Sequence, residues 1–228
     1  MRWAALALVL WTGAAAASCR QALAIGMDVS GSVDAREYRL QTDGLANALL
    51  HPQVAAAFLQ MPDWPVALLV YEWSGRAAQR VLVPWVSVRS MADLRDVAAQ
   101  LRSVERVRMD MSTALGDAKL YGAARLAQQA GCARLVLDIS GDGKNNTGPR
   151  PQDVAVPGIT VNALVISAPE RRDQRSPGIG ELSAYFNAHV IAGPEAFVES
   201  ALGFEDFEQA MVRKLKRELQ TLVIGAAE

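Results

Sequence analysis

The sequence has 228 residues, with 23 Lys and Arg against 24 Asp and Glu, so its formal net charge is −1. This balance excludes a strongly basic nucleic-acid-binding protein, and the 51% of hydrophobic residues excludes a disordered chain. The length allows one large domain or two small ones.

The first 17 residues have the pattern of a secretory signal peptide. A basic start at Arg2 is followed by an uncharged apolar run from Ala4 to Trp11 and then by small residues that end in three alanines. The apolar run is too short to span a bilayer, and no later stretch is long and apolar enough to do so. We therefore predict cleavage after Ala17 and one domain over residues 18–228, which is periplasmic or secreted.

Two cysteines, Cys19 and Cys132, each precede an apolar segment that we predict to be a strand. In the oxidising compartment that an exported chain enters, two such cysteines are expected to form a disulfide bond. The alternative is a lipid anchor on Cys19, because the residues before it loosely match a lipoprotein cleavage box. That box usually has a leucine three residues before the cysteine, and this chain has none there.

In chain order, apolar runs alternate with amphipathic segments, which predicts a doubly wound α/β domain with a mostly parallel sheet and helices on both faces. Asp34 caps the first helix with Glu37 as its capping-box partner, and Pro84 ends a strand that we predict to be an antiparallel edge strand. The predicted strands are Ala22–Asp28, Val66–Trp73, Gln79–Trp85, Arg134–Ile139, Ile159–Ile166 and His189–Ala192. The predicted helices are Asp34–Leu50, Met91–Val104, Ala114–Ala130, Glu181–Ala188 and a last one that begins near Phe204.

The last helix carries an apolar stripe from Phe204 to Leu222, whose members recur at spacings of three and four residues. Four basic residues lie off this stripe, and we predict that they form a solvated face favoured by the helix dipole. They are Arg213, Lys214, Lys216 and Arg217.

The most informative segment is the end of the first strand, where Asp28 is followed by Ser30 and Ser32. In open α/β sheets, ligands bind at the carboxyl ends of the strands. Thr113 opens the third predicted helix and Asp142 follows the fourth strand. If the first and fourth strands are neighbours, two carboxylates and three hydroxyls converge. Such oxygen ligands suit Mg²⁺, or Mn²⁺ or Ca²⁺ in its place, rather than zinc or copper, whose typical sites need His or Cys.

These residues resemble the metal-ion-dependent adhesion site of von Willebrand factor type A domains, and the order of elements over nearly the whole mature chain is similar to that fold. One departure is Ser112, which stands where a glycine commonly precedes the threonine. Four longer segments resemble, more closely, an uncharacterised family of exported bacterial proteins with this fold. They are Asp28–Asp34, Glu72–Gly75, Ser140–Gly143 with Asn145 and Asn146, and Gly193–Phe197.

The resemblance implies a role for each site residue. Ser30 and Ser32 would bind the cation directly, and Thr113 would join them directly or through water. Asp28 and Asp142 would hold ligating waters and supply negative charge. One coordination position would stay open for an acidic side chain of a partner protein, whose identity the resemblance does not give. In this fold the first strand lies beside the fourth, which would place Cys19 and Cys132 together at the other end of the sheet.

We therefore expect an exported, metal-dependent protein-binding module that is not an enzyme. One alternative is a phosphatase-like, metal-dependent hydrolase with Asp28 as nucleophile, but phosphatases of the haloacid dehalogenase type need a second carboxylate two residues later, where this chain has Ser30. A second alternative is a structural envelope domain whose metal site is vestigial. Neither His51 nor His189 lies in the context of a catalytic triad.

Overall fold

The fold is taken from a computed structural model that describes residues 19–167 and 178–220. The predicted signal peptide and Leu222 of the predicted stripe lie outside the described residues. The strands are β1 Gln21–Asp28, β2 Val66–Trp73, β3 Gln79–Val88, β4 Leu135–Gly141, β5 Ile159–Ser167 and β6 Val198–Leu202. The helices are α1 Ala35–Leu50, α2 Pro52–Phe58, α3 Met91–Ser103, α4 Leu115–Leu126, α5 Ile179–His189 and α6 Phe207–Gln220.

The six strands form one sheet in the order β3-β2-β1-β4-β5-β6. All neighbouring pairs are parallel except β2 and β3, which pair antiparallel at one edge. Every residue of β1 and β2 is buried, as expected for parallel strands that are covered on both faces. The predicted fold class is confirmed.

Helices α1, α2, α3 and α6 cover one face of the sheet, and α4 and α5 cover the other. The predicted capping box begins α1: the Glu37 amide donates to Asp34 Oδ1 at 2.8 Å, and the Asp34 amide donates to Glu37 Oε2 at 2.8 Å. The chain leaves β1 towards β2 on one side and returns to β4 on the other. The carboxyl end of β1 is therefore a topological switch point, where this fold class binds ligands.

Three elements differ from the sequence prediction. Strand β3 continues past Pro84 because a register shift between Leu68 and Val70 of β2 takes the proline out of the ladder. The short helix α2 was not predicted, although Pro52 at its first turn is a favoured start. The predicted strand at 189–192 is wrong, because His189 ends α5 and only Ala192 forms an isolated bridge. The sixth strand is instead β6, parallel to β5.

A disulfide bond joins Cys19 and Cys132, whose Cα atoms are 4.5 Å apart. The two residues also form an isolated parallel bridge that extends the β1–β4 pairing at the amino-terminal end of the sheet. A sulfur atom in this bond cannot carry a lipid, so the structure does not fit the alternative of an anchor on Cys19. The bond ties the start of β1 to the segment before β4, 113 residues further along the chain.

The predicted stripe of α6 faces the core: Phe207, Met211, Leu215 and Leu219 are all fully buried. The prediction of a solvated basic face is wrong for Lys214, which is also fully buried because it pairs with two acidic groups. Within the described ranges, no helix is both long enough and apolar enough to cross a membrane.

Candidate metal centre

The structure brings the five predicted site residues together at the carboxyl ends of β1 and β4. Ser32 Oγ donates a hydrogen bond to Asp142 Oδ1 at 2.6 Å. Thr113 Oγ1 lies 3.3 Å from Ser30 Oγ, which in turn lies 3.4 Å from Ser32 Oγ. Three segments distant in sequence therefore place their oxygens in one cluster.

Asp28 lies at the base of this cluster and is 1% exposed. The Ser30 amide donates to Asp28 Oδ1 at 2.8 Å. The other carboxylate oxygen, Oδ2, is buried and receives no hydrogen bond of ordinary geometry from the described residues, although the Asp142 amide lies close enough to the carboxylate to lower its pKa. Gly141 faces it closely, since a Cβ at Gly141 would lie 3.4 Å from this oxygen. A buried carboxylate oxygen without a donor is costly, and a bound cation would remove that cost.

Burial raises the pKa of both carboxyls in the cluster. Burial first, and then the negative charge of Asp142, raise the pKa of Asp28 to about 8, while hydrogen bonds from Ser30 and the nearby Asp142 amide oppose this shift. Burial also raises the pKa of Asp142, against the hydrogen bond from Ser32. Both carboxyls therefore resist ionisation, and a cation bound between them would favour their ionised forms.

Two asparagines hold the Thr113 segment against the loop that follows β4. The Thr113 amide donates to Asn146 Oδ1 at 2.8 Å, and the Asn146 amide donates to the Thr113 carbonyl at 3.0 Å. Asn145 Oδ1 accepts from the Gly116 amide at 3.4 Å. Asn145 and Asn146 lie in a turn-rich loop, where side-chain amides commonly form local hydrogen bonds, but their position in the sequence does not show which segment they join.

The loop after β1 is held from two sides. The Gly31 amide donates to the Met111 carbonyl at 3.0 Å, and Gln41 Nε2 donates to the Asp28 carbonyl at 3.0 Å. Gln41 lies inside α1, and nothing in the sequence marks it as a support for the site. These contacts hold the loop in addition to the hydrogen bonds that the Ser30 and Ser32 hydroxyls make.

The cluster is buried on the side that faces the core and exposed on the side that faces solvent. Asp28 and Thr113 are buried, Asp142 is half-buried and Ser32 is exposed. Within the described ranges, no group of three or more His, Cys, Asp or Glu side chains is placed to hold a metal. The oxygen-only cluster, in which Asp28 Oδ2 receives no hydrogen bond of ordinary geometry from residues 19–167 and 178–220, fits a hard cation that takes hydroxyl, carboxylate and water ligands.

Residues 18–223 match the family described as "Protein of unknown function (DUF1194)". The chain belongs to this family. Among curated proteins, no sequence matches this DUF1194 chain.

Solved structures place this DUF1194 chain in the von Willebrand factor A-like fold. Proximal thread matrix protein 1 from the mussel byssus is 15% identical, with a TM-score of 0.60 over 90% of this chain and 49% of that one. A von Willebrand factor type A protein from Catenulispora acidiphila is 16% identical, with a TM-score of 0.54 over 90% and 43%. BatB from Bacteroides thetaiotaomicron is 15% identical, with a TM-score of 0.56 over 88% and 98%.

The DUF1194 chain thus spans about half the length of the mussel protein. A further structure of that protein is described as having a zinc-occupied MIDAS motif, where MIDAS stands for metal-ion-dependent adhesion site. It is 16% identical, with a TM-score of 0.60 over 90% of this chain and 47% of that one. At these identities the neighbours show the fold alone.

Proposed function

We propose that this DUF1194 domain is an exported protein-binding module that captures an acidic side chain of its partner through a divalent cation. The observation that carries the proposal is the Asp28 carboxylate, whose Oδ2 is buried, receives no hydrogen bond of ordinary geometry from the described residues and lies beneath three converging hydroxyls. Mg²⁺ is the favoured ion, with Mn²⁺ or Ca²⁺ as alternatives, because the cluster offers only hard oxygen donors.

Each residue then has a distinct task. The hydroxyls of Ser30, Ser32 and Thr113 are the neutral ligands, and Asp28 and Asp142 supply charge and hold ligating waters. A bound cation with few anionic ligands remains electrophilic enough to attract the carboxylate of the partner protein. The exposure of Ser32 leaves the approach to this position open from solvent.

Several observations favour binding over hydrolysis. A buried Asp28, fixed by the Ser30 amide, is poorly placed as a nucleophile. Of the two histidines, His51 follows the last residue of α1 and His189 is the last residue of α5, so neither lies in the cluster. A hydrolase of this kind needs a base next to its nucleophile. In the proposed site the hydroxyls and carboxylates bind the cation or its waters, so none of them is left to act as that base.

The comparisons and the sequence support the same proposal. The mussel protein's zinc-occupied MIDAS motif shows that a protein of this fold holds a divalent ion in such a motif. A pilus adhesin, SpaC from Lactobacillus rhamnosus GG, has a TM-score of 0.61 at 13% identity, over 90% of this chain and 30% of that one. Export is supported by the basic and apolar leader and by the disulfide bond, which forms in oxidising compartments.

Isothermal titration calorimetry with Mg²⁺, Mn²⁺ and Ca²⁺ tests the site. We expect saturable binding to the wild type and a loss of at least tenfold in affinity for Asp142→Ala. Asp153→Ala is the matched control, because it removes an exposed carboxylate from the same connection between β4 and β5. Equal binding by wild type and Asp142→Ala would show that the ion binds elsewhere.

The capture of a partner is tested separately. Immobilised mature protein is incubated with an envelope extract in Mg²⁺ or in EDTA, and the retained proteins are compared. We expect at least one protein to be retained by the wild type in Mg²⁺ and to be lost in EDTA and on Asp142→Ala. Retention that is indifferent to both changes would contradict a metal-dependent interaction.

A further inference from the structure

A second polar cavity lies at the opposite end of the sheet from the metal cluster. Its volume is about 340 Å³, at the small end of the range for ligand pockets, roughly 300–1,000 Å³. Its walls come from the amino-terminal ends of β4 and β5, the segment before β6 and the last turns of α6. Its polar lining consists of Arg134, Thr160, Asn162, Glu195, Arg217 and Glu218.

Glu218 is the buried anionic group of this cavity. It is 2% exposed, and its Oε1 accepts from Lys214 Nζ at 2.6 Å and from Asn162 Nδ2 at 2.7 Å. Its other oxygen, Oε2, is buried and has no hydrogen-bond donor within the described part of the chain. The single positive charge of Lys214 is shared between two carboxylates, because its ammonium also lies 2.7 Å from Asp138 Oδ1. A ligand that donates a hydrogen bond to Glu218 Oε2, preferably from a cationic group, would therefore be stabilised in this cavity.

Arg134 is the complementary group. It is half-buried directly before β4, and its guanidinium has no hydrogen-bond or ion-pair partner among residues 19–167 and 178–220. The neighbouring Arg217 lies with its guanidinium 3.9 Å from the centre of the Phe197 ring. Guanidinium groups are suited to planar carboxylates, which they bind through paired hydrogen bonds. The cavity thus has an anion-binding side as well as an anionic one.

We propose that this cavity binds a small zwitterion of the α-amino-acid type, whose ammonium group contacts Glu218 Oε2 and whose carboxylate contacts Arg134. A ligand with negative charge only would have to lie against Glu218 and Glu195. A ligand with positive charge only would have to lie against Arg134 and Arg217. A molecule that carries both charges avoids both repulsions in a cavity of this volume, and the 20 amino acids are the natural probes.

Differential scanning fluorimetry of the mature, oxidised protein with each of the 20 L-amino acids tests the proposal, followed by calorimetry on any that raise the melting temperature. We expect at least one amino acid to bind, and its N-acetyl and methyl-ester derivatives to bind at least tenfold more weakly, because each removes one charge. We also expect losses of at least tenfold for Glu218→Gln and for Arg134→Gln.

Matched controls are Lys216→Gln, a half-buried position on the same helix, and Arg95→Gln, an exposed arginine on α3. Both should bind as the wild type does. Mg²⁺ titration of each variant reports separately on folding and on the metal cluster at the other end of the sheet. The proposal is overturned if no amino acid binds, in which case water satisfies Glu218. It is also overturned if the blocked derivatives or the two cavity variants bind as well as their references.

Discussion

Replacing Asp28 by asparagine should stabilise the metal-free protein while abolishing its response to Mg²⁺. The asparagine keeps one carbonyl oxygen for the Ser30 amide, which donates to Asp28 Oδ1 at 2.8 Å. It places a neutral amide where the carboxylate has its buried Oδ2. The substitution thus removes a charge that folding alone disfavours and that only the cation needs.

The size of the effect follows from the pKa of Asp28, which burial and the charge of Asp142 raise from its usual 3.8 to about 8. Because the folded state holds the proton more tightly than the unfolded chain, the contribution of Asp28 to stability is fully present below pH 3.8. It is lost progressively as the pH rises to about 8. At about 1.4 kcal/mol per pKa unit, the loss reaches about 4 kcal/mol at pH 7.

Urea unfolding followed by circular dichroism, at pH 4 to 8 in EDTA with the disulfide oxidised, measures this difference. We expect Asp28→Asn to match the wild type near pH 4 and to exceed its free energy of unfolding by up to about 4 kcal/mol at pH 7. Saturating Mg²⁺ should then stabilise the wild type, by about 2.7 kcal/mol at 100 times the dissociation constant, and leave the variant unchanged.

The control is Asp96→Asn, an exposed aspartate on α3, which should follow the wild type at every pH. If Asp28→Asn were no more stable than the wild type in EDTA at pH 7 to 8, the buried carboxylate would not be destabilising the fold. The electrostatic reasoning behind the site would then be refuted.

Two further predictions concern the supports of the fold and of the site. Replacing both Cys19 and Cys132 by serine should lower the free energy of unfolding by about 4–5 kcal/mol, measured by urea titration. The reason is that the bond closes a loop of 113 residues and restricts the unfolded chain. A loss below about 1 kcal/mol would contradict this expectation. Gly116→Ala should weaken Mg²⁺ binding in calorimetry by about tenfold, because its Cβ would lie 2.1 Å from the Pro149 carbonyl oxygen and displace the loop after β4. Gly180→Ala, whose Cβ would meet nothing within 4 Å, is the matched control; equal affinity in the two variants would show that the loop's position does not matter.

The parallel core of the sheet could be predicted because local pattern and burial agree there. Strands β1, β2, β4 and β5 are apolar runs that end at turn residues, and such runs have few alternatives in an α/β chain. The edge strands were harder to predict. Strand β3 passes Pro84 only because β2 shifts register opposite it, and β6 carries too little apolar sequence to be distinguished from a loop.

The side chains of the candidate site that suit a cation could be read from the sequence, because Asp28, Ser30 and Ser32 follow one strand, Asp142 follows another and Thr113 precedes a helix. The contacts between distant segments show that Asp28 has one buried oxygen without a hydrogen bond of ordinary geometry from the described residues, and that Asn146 joins two of the loops. The same contacts show that Lys214 is buried between Asp138 and Glu218 rather than solvated. The physical reason is that periodicity and turn chemistry are local properties of the chain. The energy of a buried charge depends instead on the partners that distant segments bring to it.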